Sequence, residues 1–356
     1  MRIVVSGYYG FGNAGDEAVL AAILSALRAR LPASRMTVLS ANPTQTRRLH
    51  SVHSIPRTGV GALRALAGAD LFLSGGGSLF QDVTSARSAA YYLGLLGLAE
   101  ILSRRTMVFA QGIGPLRRGW VRRLAALVLN RVHLLTVRDE DSLRTLRELG
   151  VRRTAHLVAD PVFALEPAPE DHVRELVGAR GHGPRIGLAV RPWRGDGYAA
   201  VVVEALQAVR AAIAATVIVF AFHPERDLPL ARSTAEALAA QVVSDLPPRE
   251  MMAAIGTMDI LVGARLHALI CAVVTGVPPV GLSYDPKVDA LFRRIGVGHL
   301  LPLAGLQAGQ LQQAVLTAWQ NREEMRSRLL QLHGSLREEA LRAADLAEAL
   351  LSTPAG

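Results

Sequence analysis

Short apolar segments alternate with longer segments of helical periodicity along most of this chain. Such alternation is typical of parallel α/β folds, in which each strand is followed by a helix. In the first half of the chain the pattern predicts strands at residues 3–6, 36–40, 69–73, 106–110, 133–137 and 155–158. It predicts helices at residues 16–30, 61–67, 88–103, 117–131 and 140–149.

A proline-punctuated segment at residues 165–170 separates the two halves of the chain. Beyond it, strands are predicted at residues 186–190, 216–220, 260–262 and 279–282, and two long helices at residues 310–352. We therefore expect an α/β protein with two Rossmann-like domains, residues 1–165 and 166–356, that face each other across a cleft. Ligands of such domains bind at the carboxyl ends of the strands.

The composition narrows the classes of partner. The 356 residues carry a formal net charge of +9, which suits an acidic substrate, an anionic membrane surface or nucleic acid. Aromatic residues make up only 5% of the chain, and no basic run is interleaved with them, which disfavours nucleic acid. The single cysteine, Cys271, excludes an intramolecular disulfide, and the chain begins with a strand rather than a signal peptide. We expect a cytoplasmic protein.

Glycine-rich turns follow three predicted strands of the first half. The first one, Gly10-Phe-Gly-Asn-Ala-Gly15, matches the dinucleotide fingerprint, but no acidic residue follows the second strand. Asp16 and Glu17 at the helix start also suit a hydroxylated ligand such as a sugar better than a pyrophosphate. The alternative is that both carboxylates only complement the helix dipole.

Polar residues in these turns predict the binding of a neutral polyol in the first half. The candidate residues are Asn13, Asp16, Glu17, Gly76, Gly77, Ser78, Gln81, Asp82 and Gln111. The strand ends of the second half carry mainly cations, which predict a small, multiply charged anion. These candidates are Arg191, His223, Arg265, His267 and Lys287. No His or Cys spacing typical of a metal site occurs, and we expect no metal and no cofactor.

Two of these candidates have distinctive positions. Lys287 is the only lysine in a chain whose other cations are arginine, which suggests a place where a compact ammonium group is needed. The alternative is that one lysine remained by chance. His267 is expected just inside a helix that follows the strand at 260–262, with Arg265 at the helix entry, where partial positive charge favours an anion.

The segment at residues 117–131 combines several arginines with Trp120 and leucines. Basic helices of this kind lie on anionic membranes, and we expect peripheral attachment. The alternative is an ordinary solvated basic face over a core stripe.

Five motifs together resemble the polysaccharide pyruvyl transferase family, most closely its CsaB type. They are Gly-Asn-Ala-Gly-Asp-Glu-Ala at 12–18, Gly-Gly-Gly-Ser at 75–78, Gln-Gly-Ile-Gly-Pro at 111–115, Val-Arg-Asp-x-x-Ser at 137–142 and Ala-Arg-Leu-His-Ala at 264–268. The resemblance implies a GT-B-like fold and transfer of pyruvate from phosphoenolpyruvate to a sugar, with formation of a cyclic ketal and release of phosphate. It also implies that Arg138, His267 and Lys287 are catalytic.

The resemblance further implies N-acetylmannosamine in a lipid-linked precursor of secondary cell wall polysaccharide as the acceptor, and a role in S-layer anchoring. The N-terminal domain would then bind the acceptor, with Asp16 as a candidate base, and the C-terminal domain would bind the donor. Two alternatives stay open. One is a GT-B glycosyltransferase that uses a nucleotide sugar, and the other is a catalytically inactive glycan-binding protein.

Overall fold

The computed structural model describes residues 1–83, 85–178 and 183–353. The chain forms two compact units. The first unit comprises Met1–Phe11, Asp16–Leu165 and Leu336–Gly356, and the second comprises Gly12–Gly15 and Glu166–Ser335. The C-terminal segment, which the sequence analysis assigned to the second domain, thus clusters with the first unit.

Strands and helices alternate through residues 1–165. The strands are β1 (Arg2–Ser6), β2 (Arg35–Ser40), β3 (His53–Pro56), β4 (Leu71–Ser74), β5 (Gly77–Phe80), β6 (Thr106–Ile113), β7 (Leu134–Val137) and β8 (Ala155–Leu157). The helices are α1 (Ala14–Arg30), α2 (Pro43–His50), α3 (Val60–Ala67), α4 (Ala86–Leu102), α5 (Gly119–Leu129) and α6 (Glu140–Glu148).

A second alternating series follows two short 3₁₀ turns. Its strands are β9 (Arg185–Ala189), β10 (Thr216–Ala221), β11 (Gln241–Ser244), β12 (Ile260–Gly263), β13 (Pro279–Ser283) and β14 (His299–Pro302). Its helices are α7 (Tyr198–Ile213), α8 (Pro224–Ala237), α9 (Pro248–Gly256), α10 (Leu266–Thr275), α11 (Pro286–Ile295), α12 (Ala308–Gln320) and α13 (Arg322–Ser352).

Each series builds one parallel sheet. The first sheet has the order β3-β2-β1-β4-β6-β7-β8, with β5 paired to β6, and the second has the order β11-β10-β9-β12-β13-β14. All eight residues of β6 are buried, because a central parallel strand is covered by helices on both faces. Consequently such strands read as continuous apolar runs, which is why the sequence predicted them correctly.

The elements that the sequence analysis missed are polar or short. Residues 43–56 form α2 and β3, although the segment is rich in arginine, threonine and histidine. The Asn42 side chain caps α2 by accepting a hydrogen bond from the Gln45 N–H at 3.1 Å. The strands β5, β11 and β14 have four residues each, too few for a clear alternation of apolar and polar positions.

The long C-terminal helix explains why the last residues cluster with the first unit. Alanines at 340, 343, 344 and 347 are buried, and their spacing places them on one face of α13. Asp345 accepts a hydrogen bond from Arg30 at 2.9 Å, and Arg105 donates to the backbone carbonyls of Leu350 and Thr353. None of the helices in residues 1–83, 85–178 and 183–353 combines the length and hydropathy needed to cross a bilayer.

The carboxyl group of Glu100 on α4 is partly removed from solvent. Its Oε1 atom is buried and has no hydrogen-bond partner among the described residues. Burial raises the pKa of Glu100 from 4.5 to about 7, against the opposing effect of the Arg131 charge. The folded protein therefore holds this proton more tightly than the unfolded chain does.

The stability of the protein should depend on pH through Glu100. The contribution of the protonated carboxyl is complete below pH 4.5 and is lost as the pH rises through about 7. We expect Glu100→Gln to unfold at a higher temperature than the wild type at pH 8, with a smaller difference at pH 5. The exposed Glu338→Gln on α13 is the control. Equal shifts for both variants at both pH values would contradict this origin.

Candidate functional site

The predicted cations of the second unit lie at one edge of its sheet. Strands β10, β9, β12 and β13 are consecutive neighbours and run parallel, so that their carboxyl ends lie side by side. The candidate residues, which are far apart in the sequence, follow these strand ends. They are His223 after β10, Arg191 after β9, Arg265 and His267 after β12, and Lys287 after β13. The sheet thus brings together the five residues that sequence reasoning proposed for an anion.

Two of these five residues occupy helix starts that lack a side-chain cap. His223 is the N-cap residue of α8 and Arg265 is the N-cap residue of α10, and neither side chain caps its helix. By contrast, the Asp285 carboxylate caps α11 by accepting a hydrogen bond from the Lys287 N–H at 3.2 Å. The start of a helix carries partial positive charge. The Arg265 guanidinium adds to that charge at the start of α10, and a bound anion would balance both.

The Asp227 carboxylate holds these two helix starts together. It is fully buried, and it accepts hydrogen bonds from the His223 backbone N–H at 3.0 Å and from the Arg265 guanidinium. The position of Arg265 is thereby tied to the strand end that carries His223. Sequence reasoning did not include Asp227 in the site.

His223 has the most distinctive environment of the five. His223 is only 3% exposed, and neither of its ring nitrogens has a hydrogen-bond partner within the described part of the chain. Burial, together with the charges of Arg226 and Arg265, lowers the pKa of His223. The ring is therefore neutral at physiological pH. Buried polar groups without partners are rare in proteins and indicate a place that a ligand can satisfy.

Two tyrosines that sequence reasoning missed orient Arg191. Its guanidinium carbon lies 4.1 Å from the centroid of the Tyr284 ring, and Nη1 donates to the Tyr284 hydroxyl. The Tyr198 hydroxyl donates to the Arg191 carbonyl at 2.6 Å, and burial raises the pKa of Tyr198 to about 12. The Lys287 Nζ atom lies 5.9 Å from the centroid of the same Tyr284 ring and 3.4 Å from the Asp285 carboxylate. One tyrosine ring is thus close to two of the cations.

The Gly12–Gly15 segment belongs to the second unit through its contacts near His267. The Ala14 N–H donates to the Phe222 carbonyl at 2.7 Å, and the Asn13 side chain accepts from the Gly15 N–H at 3.1 Å. A Cβ atom on Gly15 would overlap the imidazole of His267. The prediction that His267 follows an Arg265 N-cap inside the helix is confirmed, since α10 begins at Leu266.

In the first unit, Gln111 supports the glycine turn that follows β4. Its side-chain amide donates to the Gly75 carbonyl, and its Oε1 accepts from the Leu79 N–H at 3.2 Å. Gly76 is required by packing, because a Cβ there would lie 2.9 Å from a Val19 methyl carbon. Gly77 has a φ of 104°, a conformation that side chains disfavour. The contact of Gln111 with a substrate stays a prediction, and its hydrogen bonds show a structural role.

Arg138 lies beside this turn and is buried. Its Nη1 donates to the Asp160 carboxylate at 2.5 Å, and its Nη2 donates to the Ser78 hydroxyl at 2.9 Å. Burial opposes the charge, but the Asp160 and Asp139 carboxylates outweigh burial and raise the pKa of Arg138. The guanidinium therefore keeps its charge and holds Ser78 in place.

The acidic candidates of the first unit differ in what they contact. The Asp16 Oδ1 atom would lie 3.3 Å from a Cβ on Gly77, so the carboxylate faces the glycine turn. Glu17 is buried, accepts from the Gly10 N–H at 2.8 Å and pairs with the His50 ring at 2.7 Å. It braces the first glycine loop through a histidine that sequence reasoning did not consider.

The last two candidates bind backbone N–H groups. The Asp82 carboxylate accepts from the N–H groups of Arg117 and Arg118 at 2.8 and 2.7 Å, just before α5 begins. The Gln81 side chain accepts from the Val83 N–H at 3.0 Å. Both predicted substrate contacts remain predictions. Among the residues that the structure describes, no three His, Cys, Asp or Glu side chains are grouped so as to hold a metal ion.

Comparison with known proteins identifies the family. The family model described as polysaccharide pyruvyl transferase matches residues 13–286, and the chain therefore belongs to this family. The match begins at Asn13 and ends just before Lys287. A search of curated protein sequences found no match to the chain.

Solved structures with similar folds include UDP-GlcNAc 2-epimerases and a glycosyltransferase. Anabaena Alr3699/HepE, solved in complex with UDP and glucose, has a TM-score of 0.68 at 14% identity, over 99% of this chain and 100% of that one. The UDP-GlcNAc 2-epimerase from Neisseria meningitidis, solved with UDP-GlcNAc, has a TM-score of 0.67 at 10% identity, over 99% and 100% of the two chains. The predicted α/β, GT-B-like fold is thereby confirmed.

The contact between Gly15 and His267 leads to a prediction. In Gly15→Ala the added methyl group must displace the imidazole, whereas alanine favours the helix in which residue 15 lies. We expect the transferase activity to fall about 100-fold, the scale for a misplacement of about 1 Å, with little change in the unfolding temperature. The control is Gly94→Ala in α4, where no atom lies near the new Cβ. Full activity of Gly15→Ala would show that the position of His267 is not critical.

Proposed function

We propose that this protein transfers pyruvate from phosphoenolpyruvate to a sugar, forming a cyclic ketal and releasing phosphate. Its membership of the polysaccharide pyruvyl transferase family supports the reaction class. The observation that carries the choice of donor is the pair of uncapped helix starts in the second unit, with His223 and Arg265 at their N-cap positions. Phosphoenolpyruvate has a phosphate and a carboxylate, and it needs several positive groups.

The second unit supplies these groups. We assign the phosphate to Arg265, which is held by Asp227, and to the α10 helix start, since helix N-termini favour anions. We assign the remaining negative charge to Arg191 and Lys287, which both lie near the Tyr284 ring. In this proposal the neutral His223 ring donates one hydrogen bond to the donor, which would satisfy a nitrogen that is buried without a partner.

The chemistry requires a proton for the methylene carbon of phosphoenolpyruvate. We assign this proton to His267, because histidine exchanges protons near neutral pH. Protonation generates an oxocarbenium-like carbon that the first sugar hydroxyl attacks. The C–O bond to phosphate then breaks. The second hydroxyl of the same sugar adds to the carbon, and the departing phosphate takes up its proton. Fixed cations stabilise the departing phosphate.

The first unit contributes the groups proposed for the acceptor. Asp16, which faces the Gly77 turn, is the proposed base for an acceptor hydroxyl. The buried Arg138 holds Ser78 beside it and is assigned a catalytic role through the family motif. We propose N-acetylmannosamine of a lipid-linked cell wall precursor as the acceptor, as in the CsaB type, and a role in S-layer anchoring.

A second candidate function has support from the structural neighbours. HepE and the Neisseria epimerase were solved with UDP-containing ligands, and a nucleotide diphosphate is also a multiply charged anion. The alternative is therefore a glycosyltransferase that uses a nucleotide sugar in the same part of the second unit.

One assay distinguishes the two functions. The protein is incubated in heavy water with phosphoenolpyruvate and a synthetic disaccharide that ends in N-acetylmannosamine, and released phosphate and acceptor mass are followed. We expect phosphate release and a ketal whose new methyl group carries deuterium from the solvent. His267→Gln should bind phosphoenolpyruvate but form ketal about 100-fold more slowly, the scale for loss of a positioned acid. Parallel incubations use UDP-glucose and UDP-GlcNAc as donors, and transfer from either one without use of phosphoenolpyruvate would favour the alternative.

The surface of α5 supports the proposed attachment to a membrane. Trp120 is 51% exposed and Leu127 is 55% exposed, and Arg123 lies exposed between them on the same helical face. Arg117 and Arg118 are exposed just before the helix. An aromatic ring, an aliphatic side chain and arginines on one face suit the interface of an anionic bilayer. We propose that the protein works at the inner face of the membrane.

Liposome flotation tests this attachment. The wild type should float with vesicles of anionic phospholipid at low salt and should be released by high salt, since surface charge attraction is screened. Replacing Trp120, Arg123 and Leu127 by Ser, Gln and Ser should abolish flotation. The matched control replaces the exposed Arg144 of α6 by Gln. Flotation that is absent for the wild type, or equal for the triple variant, would contradict the proposal.

A further inference from the structure

The few aromatic residues of the chain are unevenly placed. There are six tyrosines, three tryptophans and eight phenylalanines in 356 residues. Four of the six tyrosines form the adjacent pairs Tyr8-Tyr9 and Tyr91-Tyr92, which are far apart in sequence. Tyr8 follows β1 and Tyr91 lies in α4. In the folded first unit Tyr91 packs against Arg57, and Tyr8 stacks on Phe11, which also lies near Arg57.

The cluster is a stack of rings around a guanidinium group. The rings of Tyr8 and Phe11 are stacked, with centroids 4.1 Å apart and planes 12° apart. The Arg57 guanidinium carbon lies 5.1 Å from the Phe11 centroid and 4.1 Å from the Tyr91 centroid. It lies 5.8 Å from the centroid of Tyr92. Planar cations and aromatic rings attract each other in this arrangement.

Two hydrogen bonds connect the tyrosines of the cluster to backbone carbonyl groups. The Tyr91 hydroxyl donates to the Arg57 carbonyl at 2.7 Å, and the Tyr92 hydroxyl donates to the Gly7 carbonyl at 3.2 Å. Tyr92 is only 3% exposed, whereas Tyr8, Phe11, Arg57 and Tyr91 remain partly exposed. The result is an aromatic cluster that is anchored in the core through Tyr92 and partly exposed at its other members.

The cluster adjoins the proposed base. The Tyr92 hydroxyl donates to the Gly7 carbonyl just after β1, and the Gly75 N–H just after β4 donates to the Ser6 carbonyl at 2.7 Å. Asp16 itself faces Gly77 after β4, and Tyr8 follows β1, the neighbouring strand. A chain of sugar units that has one hydroxyl at Asp16 could therefore continue over the aromatic cluster.

We propose that Tyr8, Phe11, Arg57 and Tyr91 form a binding subsite for a second pyranose ring of the acceptor, next to the ring that receives pyruvate. This inference rests on the proposed function. The C–H groups of a pyranose face carry partial positive charge and pack on the negative face of an aromatic ring. Arg57 has several N–H donors in a fixed plane for the hydroxyl groups at the ring edge. A subsite of this kind would select acceptors of two or more sugars over a single sugar.

Steady-state kinetics with acceptors of two lengths test the subsite. The probes are three disaccharides, ending in N-acetylmannosamine, galactose or glucose, and the three corresponding methyl monosaccharides. For the disaccharide that is used best, Phe11→Leu and Tyr8→Leu should raise KM about tenfold, the scale for one aromatic contact. The kcat, the KM for phosphoenolpyruvate and the KM for the monosaccharide should stay unchanged, because this contact is made equally in ground and transition states.

Control variants separate binding from folding. Tyr8→Phe keeps the stacked ring and should keep the wild-type KM, and Ile101→Ala shortens an exposed apolar side chain near the end of α4 without effect on KM. Unchanged disaccharide KM in both leucine variants would overturn the subsite. So would an equal rise of KM for monosaccharide and disaccharide, which would indicate a general structural defect.

A direct binding measurement distinguishes failure of the subsite from failure of the proposed function. Saturation-transfer NMR follows binding of the same disaccharides without phosphoenolpyruvate. Binding that is lost in Phe11→Leu supports the subsite even where no pyruvylated product forms. Ketal formation with identical binding in wild type and Phe11→Leu would overturn the subsite and leave the proposed function intact. Absence of binding to all three disaccharides would also overturn the subsite.

Discussion

The parallel alignment of neighbouring strands is the constraint on which both units depend. Every strand pair in the two sheets is parallel, so each sheet gathers the carboxyl ends of its strands at one edge. In the second unit this alignment collects two arginines, one lysine and two histidines from four separate strand-to-helix connections. Helix N-termini follow at the same edge, and their partial positive charge adds to that of the side chains. A concentration of positive charge is therefore a product of topology, and it does not require cations that are adjacent in sequence.

Such concentrations of charge need buried carboxylates to be stable. Asp227 serves this purpose for Arg265, and Asp160 serves it for Arg138. A guanidinium group that loses its buried partner is strongly destabilised, because its desolvation is no longer offset. The same carboxylates hold backbone groups at fixed positions: Asp227 binds the His223 N–H, and Asp160 binds the Val162 N–H at 3.1 Å. Each one thus links the charge of a candidate site residue to the geometry of a strand end.

The glycine turns of the first unit illustrate how a motif has more than one physical cause. The fingerprint-like loop suggested a ligand, and the structure shows that Glu17 and His50 brace it from within the core. Gly76 leaves space for Val19, and Gly77 adopts a backbone conformation that a side chain would strain. Close packing and ligand access both demand glycine. The residue type alone therefore could not separate the two.

The sequence by itself determined the class of fold, the main buried strands, the family motifs and the helix start at Arg265. These features depend on local periodicity and on residues near one another in the chain, so a single sequence contains them. Only the tertiary structure showed which polar candidates bind backbone groups of the protein. Asp82, Gln81 and Glu17 are bound to backbone N–H groups, and Asp227, Tyr284 and the Arg57 cluster gain their importance from partners distant in sequence. The physical reason is that a hydrogen bond or a ring contact depends on where two side chains meet, which is set by the packing of the whole unit.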